Sequence, residues 1–204
     1  MKIVIKRVFD LSISILLLIL SLPLLLMITI TIFIFLGRPV FFIQSRPGLD
    51  NKTFNLIKFR TMLVEASANS SSESDRMTKI GRFLRSTSLD ELPELINVIR
   101  GDMSLVGPRP LLEEYLELYD EEQIRRHDVK PGLTGWAQIN GRNNIEWEER
   151  FKLDLWYVEK NSFLLDFKII LLTIYKVILR KDISYKTSPT MKKFSGNKES
   201  EESK

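Results

Sequence analysis

Residues 11–36 read LSISILLLILSLPLLLMITITIFIFL, a run without one charged side chain. A helix needs about 20 apolar residues to cross the hydrocarbon of a bilayer, so this stretch is long enough to be solvated by lipid. It exceeds the apolar core of a secretory signal, and no small-residue cleavage site follows it. A buried core helix is the competing explanation, but a chain of 204 residues seldom hides a helix that is apolar all round. Pro23 falls near the middle, where its ring and missing N–H favour a kink. Lys2, Lys6 and Arg7 precede the run, and Arg38 and Arg46 follow it. Positive charge on both flanks prefers neither end for the cytoplasmic side. A re-entrant helix, entering and leaving on the cytoplasmic face, satisfies both flanks. The expectation is a membrane-anchoring helix over residues 1–37, kinked at Pro23 and re-entrant.

Lys and Arg together number 30 against 26 Asp and Glu, a net charge of +4. This mild basic excess fits an anionic partner such as a phosphate or a lipid headgroup without selecting one. With no cysteine, disulfides, thiolate metal sites and thiol nucleophiles are excluded. His127 is the lone histidine, which argues against a histidine zinc site or a Ser-His triad. Chemistry in this chain falls to carboxylates, cations and a hard metal ion.

Beyond the apolar run, VFFIQSRPGL (40–49) reads as a short strand closed by a Pro-Gly turn. FNLIKFRTM (54–62) alternates as a strand, with Lys58 and Arg60 on one face. Residues 63–76 are a serine-rich, mobile loop. KIGRFLRS (79–86) is a short amphipathic helix carrying Arg82 and Arg85, and LPELINVIRGD (92–102) is a helix ending near Gly101. MSLVGPRPLLEEYLELY (103–119) reads as an extended turn leading into a helix, DEEQIRRHDV (120–129) as a further helical turn or two, and VKPGLTGWAQINGRN (129–143) as a Gly-rich loop. IEWEERFKLDLWYVEKN (145–161) and FLLDFKIILLTIYKVILRK (163–181) are helices, the second suited equally to a membrane interface and to core packing. Residues 187–204 read as a disordered polar tail. The expected fold is mostly α with a few short strands. It comprises the membrane helix, a small cytoplasmic catalytic domain over 38–186 with interfacial amphipathic helices, and the tail.

STSLDELPELIN (86–97) sets Asp90 beside Glu91. Ser88 and Glu91 have the spacing of a capping box; alternatively Asp90 is the cap and Pro93 falls in the first turn. A carboxylate at a helix start is held ionised and rigid, as a nucleophile or a hard-metal ligand requires. Mg²⁺ takes one or two carboxylates and completes its shell with water and substrate phosphates. Arg85 lies just upstream, Arg109 sits in GPRP and Arg142 in NGRN. Each alone reads as a surface charge, but arginines in loops fixed by Gly and Pro suit bidentate binding of phosphate oxygens.

KFRTM (58–62), SLDELPELINVIRGDMSLVGPRP (88–110) and PGLTGWAQINGRN (131–143), in this order, resemble the bacterial sugar transferase family. These are the monotopic phosphoglycosyl transferases acting on undecaprenyl phosphate. The resemblance runs from KRVFD (6–10) to about residue 180. In RHDVKPGLTG (126–135), NGRN (140–143) and the tail it is similar to the members that move N,N′-diacetylbacillosamine 1-phosphate in protein glycosylation. It implies transfer of a sugar 1-phosphate from a UDP-sugar to undecaprenyl phosphate, with release of UMP. Asp90 would be the nucleophile that carries the phosphosugar covalently. Glu91 would place Mg²⁺ or deprotonate the incoming polyprenyl phosphate, and both carboxylates would ligate the Mg²⁺. Lys58, Arg85, Arg109 and Arg142 would bind phosphates. The resemblance further implies the bacterial inner membrane, a catalytic domain on its cytoplasmic face, lipid and downstream glycosyltransferases as partners, and no nucleic acid. A glucose- or galactose-type UDP donor for capsule or exopolysaccharide is the alternative. A non-catalytic lipid-binding scaffold and a Mg²⁺-dependent phosphohydrolase are the rival readings. The Ser-Pro usual at the family's membrane kink is Leu22-Pro23 here, with Ser21 one residue earlier.

Overall fold

The computed structural model describes residues 2–64, 76–141, 145–179 and 193–196. Residues 65–75 of the serine-rich loop, Arg142 and most of the tail assigned above lie outside the described residues.

Helix α1, Lys2–Leu36, is helical throughout its 35 residues, Pro23 included. Ser21 Oγ donates to the Leu18 carbonyl at 3.1 Å. The hydroxyl therefore serves the turn ahead of the proline, though not the Ile19 carbonyl that Pro23 deprives of its helical N–H. Val4–Leu36, with mean hydropathy 2.8, is long and apolar enough to cross a membrane, and only 11% of its apolar window is buried.

Both ends of α1 are held by the rest of the molecule. At its start, Arg7 donates to the carbonyls of Val98 and Ile99 at 2.6 and 2.7 Å. Lys6 pairs with Asp166, and buried Asp10 accepts from Ser104 Oγ at 2.8 Å and from the Leu105 amide at 3.3 Å. At its end, the Arg60 guanidinium donates to the carbonyls of Leu36, Gly37 and Arg38. It satisfies carbonyls that a helix end leaves without partners. Arg60 therefore does not share a face with Lys58 as expected: the strand stops at Phe59, and Arg60 serves as the C-terminal cap of α1.

Strands β1 (Phe41–Pro47) and β2 (Thr53–Phe59) form an antiparallel hairpin in which Phe42 faces Lys58, Gln44 faces Leu56 and Arg46 faces Phe54. Side chains alternate along a strand, so these six residues share one face of the hairpin. Helix α2 (Lys79–Ser86) is capped by Thr78, whose side chain accepts from the Gly81 amide at 2.9 Å. A Cβ at Gly81 would stand 1.8 Å from the Thr61 carbonyl oxygen, so only glycine allows α2 to press on the chain leaving β2. Helix α3 (Glu94–Arg100) ends at Gly101, whose φ of 95° lies in the left-handed region glycine adopts freely. Buried Asn97 stitches α3 to β2 through the Asn55 carbonyl and the Ile57 amide.

Strands β3 (Ser104–Val106) and β4 (Gly132–Thr134) pair in parallel. Between them, Glu113–Leu118 is a 3-10 helix rather than the expected α-helix, and Gln123–His127 is a 3-10 turn in place of the expected further helical turn or two. The Gly-rich stretch expected as loop contains β4 and the one-turn helix α4, Trp136–Ile139. Helices α5 (Trp147–Lys160) and α6 (Phe163–Ile178) follow. α6 leaves Phe163, Leu164, Phe167, Leu171 and Ile174 exposed along an uncovered apolar face.

Three apolar clusters organise the interior. The largest joins Leu95 and Val98 of α3, Val106, Tyr157 and Ile169, and takes in Phe9, Ile13 and Leu18 of α1. The second packs Ile28 and Ile32 of α1 on Phe59 and Leu84. The third sets Phe194 against Leu111, Tyr115 and Phe151. A packed Phe194 departs from the disorder expected of the tail at that one position, because an aromatic ring gains more by burial than the local backbone loses.

Candidate active site

The stretch Leu89–Glu91 forms a single 3-10 turn, and Pro93 precedes α3. Neither capping expectation holds. Ser88 is left-handed, φ 56°, with no side-chain cap bond, and no side chain caps α3. The turn instead aims two neighbouring carboxylates in different directions, Asp90 at 7% exposure and Glu91 into a cage of cations.

Glu91 Oε1 accepts from Lys58 Nζ at 2.9 Å and from Arg109 Nη2 at 2.5 Å. Lys58 also pairs with Glu94 at 2.9 Å. Burial opposes ionisation of Glu91, but Arg109 and Lys58 outweigh it and hold this carboxyl well below the usual range. Glu94 is pushed up to about 7, by burial first and by Glu91 among its neighbours, against the pull of Lys58. Asp90 is pushed up to about 6 by burial and then by Glu91, with Lys58, Arg85 and Arg109 opposing. Among the described residues no side chain hydrogen-bonds the Asp90 carboxylate, which leaves it available to a substrate.

The cations are positioned by backbone contacts. Arg109 follows Gly107, whose amide donates to the Thr134 carbonyl at 2.9 Å, while the Gly132 amide donates to Pro108 at 3.0 Å. A Cβ on Gly132 would lie 2.0 Å from the Gly107 nitrogen, so the β3 and β4 exits touch backbone to backbone. Arg126, 1% exposed, pairs with Asp154 at 2.7 Å and donates to the Arg109 carbonyl at 2.8 Å. Arg85 Nε donates to Thr61 Oγ1 at 3.0 Å, which fixes the cation of α2 near Asp90.

Beside the carboxylates lies a pocket of about 90 Å³ lined by Arg46, Leu56, Lys58, Glu94, Arg109, Pro110 and Leu111. Of the residues expected at the site, Lys58, Arg85, Asp90, Glu91 and Arg109 converge, and Arg142 lies outside the described residues. Glu94 and Arg46 were not anticipated. Glu94 stands one helical turn after Glu91, and Arg46 sits in SRPG, a setting as Gly/Pro-fixed as GPRP. Those were the signals available.

Among the described residues no group of three or more His, Asp or Glu side chains is placed to hold a metal. Mg²⁺ needs only one or two carboxylates beside substrate phosphates. The unpartnered Asp90 carboxylate, with Glu91 gripped through Oε1 alone, fits that requirement.

A pocket lined by Arg46, Lys58 and Arg109, the last two bonded to Glu91, has the charge to receive phosphate groups. The chain belongs to the bacterial sugar transferase family, whose model matches residues 1–180. It is an enzyme of the transferase class. It is 51% identical to the uncharacterized sugar transferase EpsL of Bacillus subtilis, over 95% of this chain and 97% of that protein. It is 45% identical to the UDP-glucose:undecaprenyl-phosphate glucose-1-phosphate transferase of Escherichia coli, over 70% of this chain and 33% of that protein. It is 39% identical to the undecaprenyl-phosphate galactose phosphotransferase of Salmonella typhimurium, over 73% of this chain and 35% of that protein. The chain thus spans about a third of the two longer relatives.

Proposed function

We propose that this enzyme transfers a sugar 1-phosphate from a UDP-sugar to undecaprenyl phosphate and releases UMP. The observation that carries the reading is Asp90, a buried carboxylate without a side-chain partner, set against a caged Glu91 and several cations. Asp90 attacks the sugar-linked phosphorus, the bond to the bridging oxygen breaks, and UMP departs. An oxygen of the polyprenyl phosphate then attacks the same phosphorus and frees Asp90, so the kinetics are ping-pong. Lys58, Arg85 and Arg109 stabilise charge on the phosphates. Glu91 is too firmly ionised to serve well as a base. Its role is to orient Lys58 and Arg109 and, with Asp90, to hold Mg²⁺, which would neutralise diphosphate charge.

Relatives named for glucose and galactose favour a UDP-hexose donor of that type over UDP-N,N′-diacetylbacillosamine. We place the catalytic unit on the cytoplasmic face with α1 re-entrant, because both ends of α1 bind the same body of the protein. The exposed apolar face of α6 supports a position in the membrane interface.

A panel of UDP-sugars offered with undecaprenyl phosphate and Mg²⁺, scored by UMP and lipid product, tests the reading. No UMP from any donor sinks it, and UMP without lipid product favours the phosphohydrolase.

A further inference from the structure

Arg46 stands apart from the other cations of the pocket. Lys58 is shared by Glu91 and Glu94, and Arg109 is bonded to Glu91. Arg46 Nη2 meets only the neutral amide oxygen of Gln44, at 2.5 Å, and its Nε is buried without a partner. Burial, and then the nearby Arg109, lower this guanidinium to about 10 against the pull of Glu94, so it stays charged without a carboxylate bonded to it. The hairpin places Arg46 on the same face as Leu56 and Lys58, and all three line the pocket. An idle guanidinium N–H beside Lys58 and Arg109, on a rigid hairpin, suits an oxyanion.

Asp90 does not line this pocket. On the transferase reading, a phosphate seated there, beside Glu91's partners Lys58 and Arg109, neighbours the one Asp90 attacks. Resting on the transferase reading above, we infer that Arg46, with Lys58 and Arg109, seats the nucleotide-side phosphate of the UDP-sugar. As the Asp90 Oδ–P bond forms, the bond from that phosphorus to the bridging oxygen breaks. The electron pair stays on the oxygen, which leaves as part of UMP, and Arg46 meets its developing charge. The polyprenyl phosphate is the other source of the same chemistry, and the experiment separates the two.

The full chain in detergent micelles is titrated calorimetrically with UMP, uridine and undecaprenyl phosphate, as wild type, Arg46→Ala and Arg46→Lys. Loss of a charge-assisted bond weakens UMP binding by about tenfold or more in Arg46→Ala. Arg46→Lys recovers part of it, while uridine and undecaprenyl phosphate bind as in wild type. Unchanged UMP affinity, a matching loss for uridine, a loss confined to undecaprenyl phosphate, or a wild type blind to UMP each overturns the inference. Arg46→Lys keeps the charge and most of the stem, so it tests the role even where Arg46→Ala fails to fold. Binding is read without turnover, so this result stands separately from the donor panel, which alone decides the transferase reading.

Discussion

Asp90 and Glu91 are adjacent in the chain, yet their carboxyls are driven in opposite directions. Burial lifts Asp90 to about 6, while Arg109 and Lys58 overcome burial and hold Glu91 far below its ordinary value. Two carboxylates with separated proton affinities can take separate roles in one reaction. In the reaction proposed above, one is the group that reacts and the other the fixed charge that aligns the cations.

Asp90 must be ionised to attack phosphorus, so the burst of UMP from a UDP-sugar without acceptor falls as pH drops through about 6. A burst that is flat from pH 5 to 8 contradicts the assignment.

The same elevation predicts a stability effect. The folded state prefers protonated Asp90, so ionisation destabilises the fold as pH rises from 3.8 to about 6. Asp90→Asn removes that penalty. It should melt at a higher temperature than wild type at pH 8, with the gap closing near pH 4, while releasing no UMP. Glu91→Ala goes the other way, since it strands Lys58 and Arg109; at these partial exposures the loss is about 2 kcal/mol by urea denaturation.

Arg126 and Asp154 are 1% and 2% exposed at the side chain. Removing one partner leaves an unpaired buried charge, so Asp154→Ala should cost about 3–5 kcal/mol in denaturant unfolding. Arg126 also carries the Arg109 carbonyl, so turnover of the surviving Asp154→Ala fold should drop as well. Unaltered turnover would detach the pair from the site.

The chain has no cysteine, which makes single-cysteine labelling clean. Cysteines at positions 2 and 40 should react with an impermeant maleimide from the same side of inverted vesicles. Labelling from opposite sides would rule out the re-entrant arrangement.

Features written in contiguous residues were readable in advance. Gly101 closes α3 where it was expected to, because a left-handed glycine acts locally. The apolar run and the Asp90–Glu91 pair could be read for the same reason. Ser88 misled, since its spacing to Glu91 suits a cap but its own left-handed backbone turns the hydroxyl away. Arg60 misled because strand alternation was carried one residue past the strand. The pairing of β3 with β4, and the meeting of Arg46 with Glu94 and Arg109, depend on contacts between distant segments. No local periodicity encodes those. Glu94 is a first-turn acid of α3, and only Lys58 on another element makes it part of the site.

Helix α1 supplies Phe9, Ile13 and Leu18 to one apolar cluster and Ile28 and Ile32 to another. The long apolar helix is therefore also masonry of the enzyme. Cut away at residue 38, the remainder would lose walls of two cores and the carbonyl partners of Arg60. Simple truncation therefore opens the interior it is meant to isolate, and the catalytic unit should fold only with α1 in place.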